Sequence, residues 1–147
     1  MRIDLAYDGT NFHGWAIQPG LRTVQGELEH AMGTILRMPT PPTLHCAGRT
    51  DAGVHARAQV AHVDVDTHPG VLERRLRRFV KEDIRIKSVT EAPPGFDARF
   101  SALERRYATI NDITINNILF ANRHARTSIE GDVFSELASK VTDKKPK

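Results

Sequence analysis

The chain predicts an α+β fold, a largely antiparallel sheet with helices packed on one face. Two kinds of pattern and their order predict it. Several short segments alternate apolar and polar residues, as half-buried strands do. Two longer segments repeat apolar residues at spacings of three and four, as amphipathic helices do. They follow one another as strand, helix, strand, strand, helix, strand, strand.

Arg2 to Asp8 is the first strand, with Ile3, Leu5 and Tyr7 on one face. Asp8-Gly9-Thr10-Asn11 is a turn that Asp8 caps. Thr23 is a helix N-cap, and Val24, Leu28, Met32, Ile35 and Leu36 mark an amphipathic helix over 24–37. Pro39, Pro41 and Pro42 end it. Thr43 to Ala47 is a short strand. Gln59 to Asp66 is the next, with Val60, His62 and Asp64 on the face opposite Ala61, Val63 and Val65. The second helix covers 70–81, anchored by Val71, Leu72, Leu76, Phe79 and Val80. Ile84, Ile86 and Val89 mark a strand, and Arg106 to Asn111 another. Ile118 to Phe120 is a short apolar piece, and Phe134, Leu137, Ala138 and Val141 suggest a last helix.

At 147 residues and 39% hydrophobic content the chain suits one domain and part of a second. No apolar run matches a membrane span or a signal peptide. Cys46 is the only cysteine, which points to a reducing cytoplasm. The seven histidines form no ligand-spaced cluster, so no metal site is expected. Net charge is only +3, yet arginine is clustered. Arg74, Arg75, Arg77, Arg78 and Lys81 form one group, Arg99, Arg105 and Arg106 another, and Arg123 with Arg126 a third. Guanidinium forks suit phosphates, although the 74–81 group reads equally as a solvated helix face.

The most informative stretch is Ala47-Gly48-Arg49-Thr50-Asp51-Ala52-Gly53-Val54-His55-Ala56. Gly48 and Gly53 permit a tight turn and close approach by another molecule. Asp51 then projects from a constrained loop beside a permanent cation, Arg49. By itself the pattern also fits an ordinary turn between strands.

Four ordered blocks carry a resemblance. They are Tyr7-Asp8-Gly9-Thr10 with Phe12-His13-Gly14-Trp15, then Thr23-Val24-Gln25-Gly26-Glu27-Leu28-Glu29. Gly48 to Ala56 follows, continuing to Gln59-Val60, and then Phe96-Asp97-Ala98-Arg99-Phe100-Ser101-Ala102 with Arg105-Arg106-Tyr107. Together they resemble the TruA-type tRNA pseudouridine synthases over about residues 1–110. The resemblance implies the pseudouridine synthase catalytic fold, here a ferredoxin-like half, with residues 1–112 as an N-terminal catalytic unit and 113–147 as the divergent start of a second. It implies isomerisation of uridine to pseudouridine in the anticodon stem-loop of tRNA by a homodimer, with no metal and no organic cofactor. By motif position Asp51 matches the catalytic aspartate, Arg49 the arginine that pairs with it, and Tyr107 the tyrosine that packs on the target base. His55, Arg105 and Arg106 are the further substrate-binding candidates, and His55 has the alternative role of ordering the loop.

The chemistry asks for these residue types independently. Uracil leaves its ribose at nitrogen and rejoins through carbon. An ionised carboxylate can attack sugar or base, or assist glycal formation. A nearby guanidinium favours that ionised form. A uridine drawn from its stack needs an aromatic face, worth roughly 1–3 kcal/mol per base. Trp15 reads as a packing anchor, and Gln59 as either packing or function.

Two departures from the family pattern stand out. Leu76 to Asp83 lacks the asparagine-rich, Leu-Pro segment usual before the strand at Ile84. The family's chains are also nearly twice as long, and nothing after Tyr107 resembles their second half, which forms the opposite wall of the cleft. An inactive tRNA-binding module and a decayed remnant are therefore the competing readings.

Overall fold

A computed structural model describes residues 1–110 and 113–119, the last two strands as backbone. Its elements in chain order are β1 (Arg2–Tyr7), α1 (Val24–Ile35), β2 (His45–Cys46), β3 (His55–His62), α2 (Pro69–Phe79), β4 (Ile84–Thr90), β5 (Glu104–Ile110) and β6 (Ile113–Leu119). One sheet runs in the order β4-β1-β3-β6-β5, with β2 also paired to β3. All described pairings are antiparallel except β3 with β6, which is parallel.

The alternation in β1 turns Ile3, Leu5 and Tyr7 toward the helices, where they meet Val24, Leu28, Met32, Leu72 and Leu76 in one core. Neighbouring strands extend that face through Ala61, Ile84, Ile86 and Val89. Val60 lies on the other face, in a small cluster with Ala47 and Ala98. Helices therefore cover one side, and the segment around Phe96 to Ala102 covers part of the other.

Local chemistry explains the helix ends. Thr23 accepts from the Gly26 N–H, satisfying an orphan donor at the start of α1. At its end Arg37 adopts a left-handed φ of 53°, short of the prolines. Pro69 occupies the first turn of α2, behind a His68 cap. Arg77 bonds Glu73 (2.8 Å) and the carbonyls of Ile86 and Lys87, so one member of the 74–81 cluster ties helix to strand. Arg74, Arg75, Arg78 and Lys81 are exposed.

The sequence places the third strand too late. It predicts 59–66, whereas β3 spans 55–62. Alternation continues to Val65 in sequence, but pairing with β1 ends at Arg2 opposite His62. At the other end Ala56 and Ala58 hide the period, and Tyr7 and β6 supply the partners that extend the strand. The helix suggested over 134–141 and the arginines at 123 and 126 lie outside the described residues.

The segment before β4 that departs from the family pattern is well anchored. Arg22 holds Asp83 through two bonds (2.6 and 3.1 Å) and Glu27 through a third (3.1 Å). The Asp83 bond raises the Arg22 pKa above its ordinary value. The Asp83 carbonyl accepts from the Asp8 N–H at 2.9 Å, fixing the exit of β1.

Candidate active site

The turn carrying Asp51 sits where β1 ends and β3 begins. It rests on the loop that follows β1. The Trp15 N–H donates to the Thr50 carbonyl (2.9 Å) and the Gly53 N–H to the Phe12 carbonyl (3.2 Å). Two glycines of that loop permit the contact. A Cβ on Gly9 would lie 2.0 Å from the Val54 oxygen, and one on Gly14 would lie 2.5 Å from the Thr50 oxygen. The close approach within the chain is made by Gly9 and Gly14. Gly48 contributes its carbonyl instead, and Gly53 turns the chain with a φ of 79°.

Within the turn the side chains alternate. Arg49 and Asp51 are exposed, and Thr50 between them is buried. The Thr50 hydroxyl lies 2.7 Å from the Tyr7 hydroxyl. Gln59, fully buried, donates to the Gly48 carbonyl (2.7 Å) and to the Tyr7 hydroxyl (3.4 Å), and its Oε1 accepts from the Val60 N–H (3.2 Å). Tyr7, Thr50 and Gln59 therefore form a satisfied polar network beneath Asp51, of the kind that specifies one geometry. Sequence reasoning left Gln59 open and did not single out Thr50 or Tyr7. Their signal is weak, because each is an ordinary strand or turn residue until its partners meet.

Arg49 and Asp51 share the turn, but among the described residues no ion pair joins them. Thr50 faces inward, so both neighbours are directed to solvent. His55 is half-buried. Its Nδ1 accepts from the Gly9 N–H (3.1 Å) and stands 3.1 Å from Asp8 Oδ1. That nitrogen orders the two loops against each other. Asp8 caps the turn by accepting from the Thr10 N–H (3.0 Å), and Trp15 is buried in the core, as expected of a packing anchor.

Tyr107 enters through the sheet. It stands opposite Asn116 on β6, which stands opposite Ala56 on β3. Ala56 in turn faces Tyr7 on β1. One row of the sheet thus runs from Tyr7 to Tyr107. Two strand spacings, about 10 Å, separate Tyr107 from the strand that leaves the Asp51 turn. Arg105 and Arg106 stand opposite Ile118 and Asn117. Irregular register between Leu5 and Tyr7 and between Ala56 and Ala58 lies at this same end, where such irregularities re-aim chains near sites.

A protein of Cutibacterium acnes named tRNA pseudouridine synthase A is 59% identical over 110 residues, 72% of this chain. The chain is homologous to proteins named tRNA pseudouridine synthase A. Relatives of that name from Frankia casuarinae and Bifidobacterium animalis subsp. lactis are 57% and 53% identical over 109 and 122 residues, each 73% of this chain. The match falls on the N-terminal part of these synthases. It covers 39% of the first two and 41% of the third, so the chain spans about two fifths of the length of the curated relatives it matches. No family model matches. Among the described residues no three His, Cys, Asp or Glu stand together as a metal site, and no helix is long and apolar enough to cross a membrane.

Proposed function

We propose that this chain carries the catalytic turn of a tRNA uridine isomerase, with Asp51 as its nucleophile. One observation supports the reading above others. Asp51 is held out to solvent by a turn whose neighbouring residue is locked into a buried network, within a chain homologous to named tRNA pseudouridine synthases.

The reaction is an internal exchange of bonds. The bond from ribose C1′ to uracil N1 breaks, and the bond from C1′ to C5 forms. The hydrogen on C5 then leaves as a proton, and N1 gains one. No electrons are lost or gained overall. The Asp51 carboxylate supplies the attacking oxygen, a role that requires it ionised and preorganised. Arg49, on the same turn and exposed, is placed to approach either Asp51 or a phosphate when substrate arrives. Tyr107 gives the extracted uracil a stacking face, and Arg105 and Arg106 add charge beside it. His55 belongs to the site by ordering the loop. The target in the anticodon stem-loop, the cytoplasmic setting, the homodimer and a catalytic unit ending near residue 112 are part of the same proposal.

The test is tritium release from tRNA bearing uridine labelled at C5. The wild-type chain is expected to release tritium, and Asp51→Ala to release none while binding tRNA with the same affinity. Equal release from both proteins would remove Asp51 from the chemistry. No release from either, with binding intact, would remove the isomerase reading for this chain.

A further inference from the structure

Beside the Asp51 turn lies a cleft of about 960 Å³, within the range of small-ligand sites. Residues 43–49 form one wall and the turn at Asp97 to Ala102 the other. Arg49 borders it, so the cleft continues outward from the catalytic turn.

The outer wall is rigid. Asp97 Oδ1 accepts from the N–H groups of Arg99 (2.8 Å) and Phe100 (3.0 Å), and its carbonyl accepts from the Ser101 N–H (2.7 Å). The Ala98 N–H donates to His62 Nδ1 at 2.9 Å. Ala98 itself is buried against Val60. Yet this fixed turn presents Phe100 with 80% of its surface exposed. The Arg99 guanidinium lies 5.4 Å from the ring centroid, leaving most of the ring to solvent. An aromatic held outside the core by a fully bonded turn is already ordered for a partner, so little entropy is lost on stacking.

The lining charge selects the partner. Arg49 and Arg99 supply two guanidinium groups, and Gln25 and His45 add polar edges. Asp97 is the one carboxylate in the lining, and its Oδ1 is committed to two backbone donors. A covering protein segment would call for an apolar floor, whereas this lining is mainly polar, and arginine with an exposed ring suits phosphate and base.

We infer that this cleft is a second nucleotide subsite. It takes a single-stranded ribonucleotide flanking the uridine presented to Asp51, with the base stacked on Phe100 and phosphates at Arg49 and Arg99. The inference rests on the RNA-modifying reading for the position of that uridine.

A fluorescein-labelled pentaribonucleotide with a central uridine, titrated into the full chain at 50 and 200 mM salt, tests it. Phe100→Ala should weaken binding about tenfold or more. Phe100→Trp should restore affinity, with its emission quenched by the stacked base. Arg99→Ala should lower the slope of log affinity against log salt by about one. All three substitutions fall at two solvent-facing positions, so an unchanged thermal midpoint separates lost contacts from lost fold. Wild-type affinity in both alanine variants, or no binding by the wild type, overturns the subsite. Loss of self-association in Phe100→Ala at unchanged RNA affinity also overturns it and assigns the cleft to a second copy. Binding that depends on Phe100 without tritium release refutes the isomerase reading alone, and release with binding indifferent to Phe100 refutes the subsite alone.

Discussion

Thr50 stands between the two residues to which the sequence drew attention, and it is the one whose environment the fold constrains most. Its hydroxyl meets Tyr7 at 2.7 Å in a buried setting, and Gln59 braces both Tyr7 and the Gly48 carbonyl. Replacing Thr50 by Val keeps the shape and removes the hydroxyl, so the Tyr7 hydroxyl loses its shorter hydrogen bond and keeps the one from Gln59. The expected loss is about 0.5–1.5 kcal/mol of stability by urea denaturation, because one buried hydrogen bond is removed. Thr50→Ser keeps the hydroxyl and should recover most of that loss. Turnover should follow the same order, with RNA affinity unchanged, since the network positions Asp51 and does not itself face solvent. A Val variant as stable and as active as wild type would show that the network does not position the turn.

At the scale of elements, the site is a contact between two loops, and the space between them is set by glycine. Gly9 and Gly53 make the contrast measurable. A Cβ at Gly9 would stand 2.0 Å from a backbone oxygen, whereas one at Gly53 meets nothing within 4 Å. Gly53→Ala suffers only from its φ of 79°, a strain of about 1–2 kcal/mol. Gly9→Ala must push two loops apart and should cost more than Gly53→Ala in the same denaturation series. It should also lower turnover more, because the displaced loop bears the Asp51 turn. An equal cost at the two positions would mean that the loops can separate freely. The β3 strand teaches the complementary lesson. Its sequence period is obscured by Ala56 and Ala58, and its true bounds follow from partners on β1 and β6 that no local window contains.

For the whole molecule, stability and acidity are linked through the turn that covers the open face of the sheet. Burial depresses the His62 pKa below its ordinary value, Asp97 pulling it back and His45 adding to the fall. The unfolded chain therefore takes up the proton more readily. The stability that His62 contributes is complete above its unfolded value, about 6.5, and is lost as pH falls through the lowered folded value. Protonation at Nδ1 would also remove the acceptor for the Ala98 N–H. Asp97 works in a lower window. The Phe100 and Arg99 amides hold its carboxyl below the ordinary carboxylate value, so its contribution is present above about pH 4 and fades below it. Urea midpoints at pH 7.5 and 5.5 should differ for the wild type by more than for His62→Gln, which can still accept from Ala98 but does not titrate. Identical pH dependence in the two proteins would show that His62 carries none of this linkage.

The sequence by itself determined the local architecture and singled out the turn at Asp51. Alternation in Ile3, Leu5 and Tyr7, helical spacing from Val24 to Ile35, the Thr23 cap and the spacing of Leu72 and Leu76 are local signals. They act within a few residues, where periodicity and capping are decisive. The block from Gly48 to Ala56 likewise announced Asp51 and Arg49 by order and spacing, and with the other blocks announced the family. Tertiary structure alone decided which side chains serve them. Tyr7 meets Thr50 across 43 residues, and Tyr7 meets Gln59 across 52. His55 spends its Nδ1 on Gly9, Tyr107 joins the row through β6, and the turn at Asp97 places Phe100 beside Arg49's cleft. A side chain's periodicity tells which face it takes, but a hydrogen bond needs two particular groups at one point. That coincidence is created by strand pairing and loop contact, and no local pattern records it.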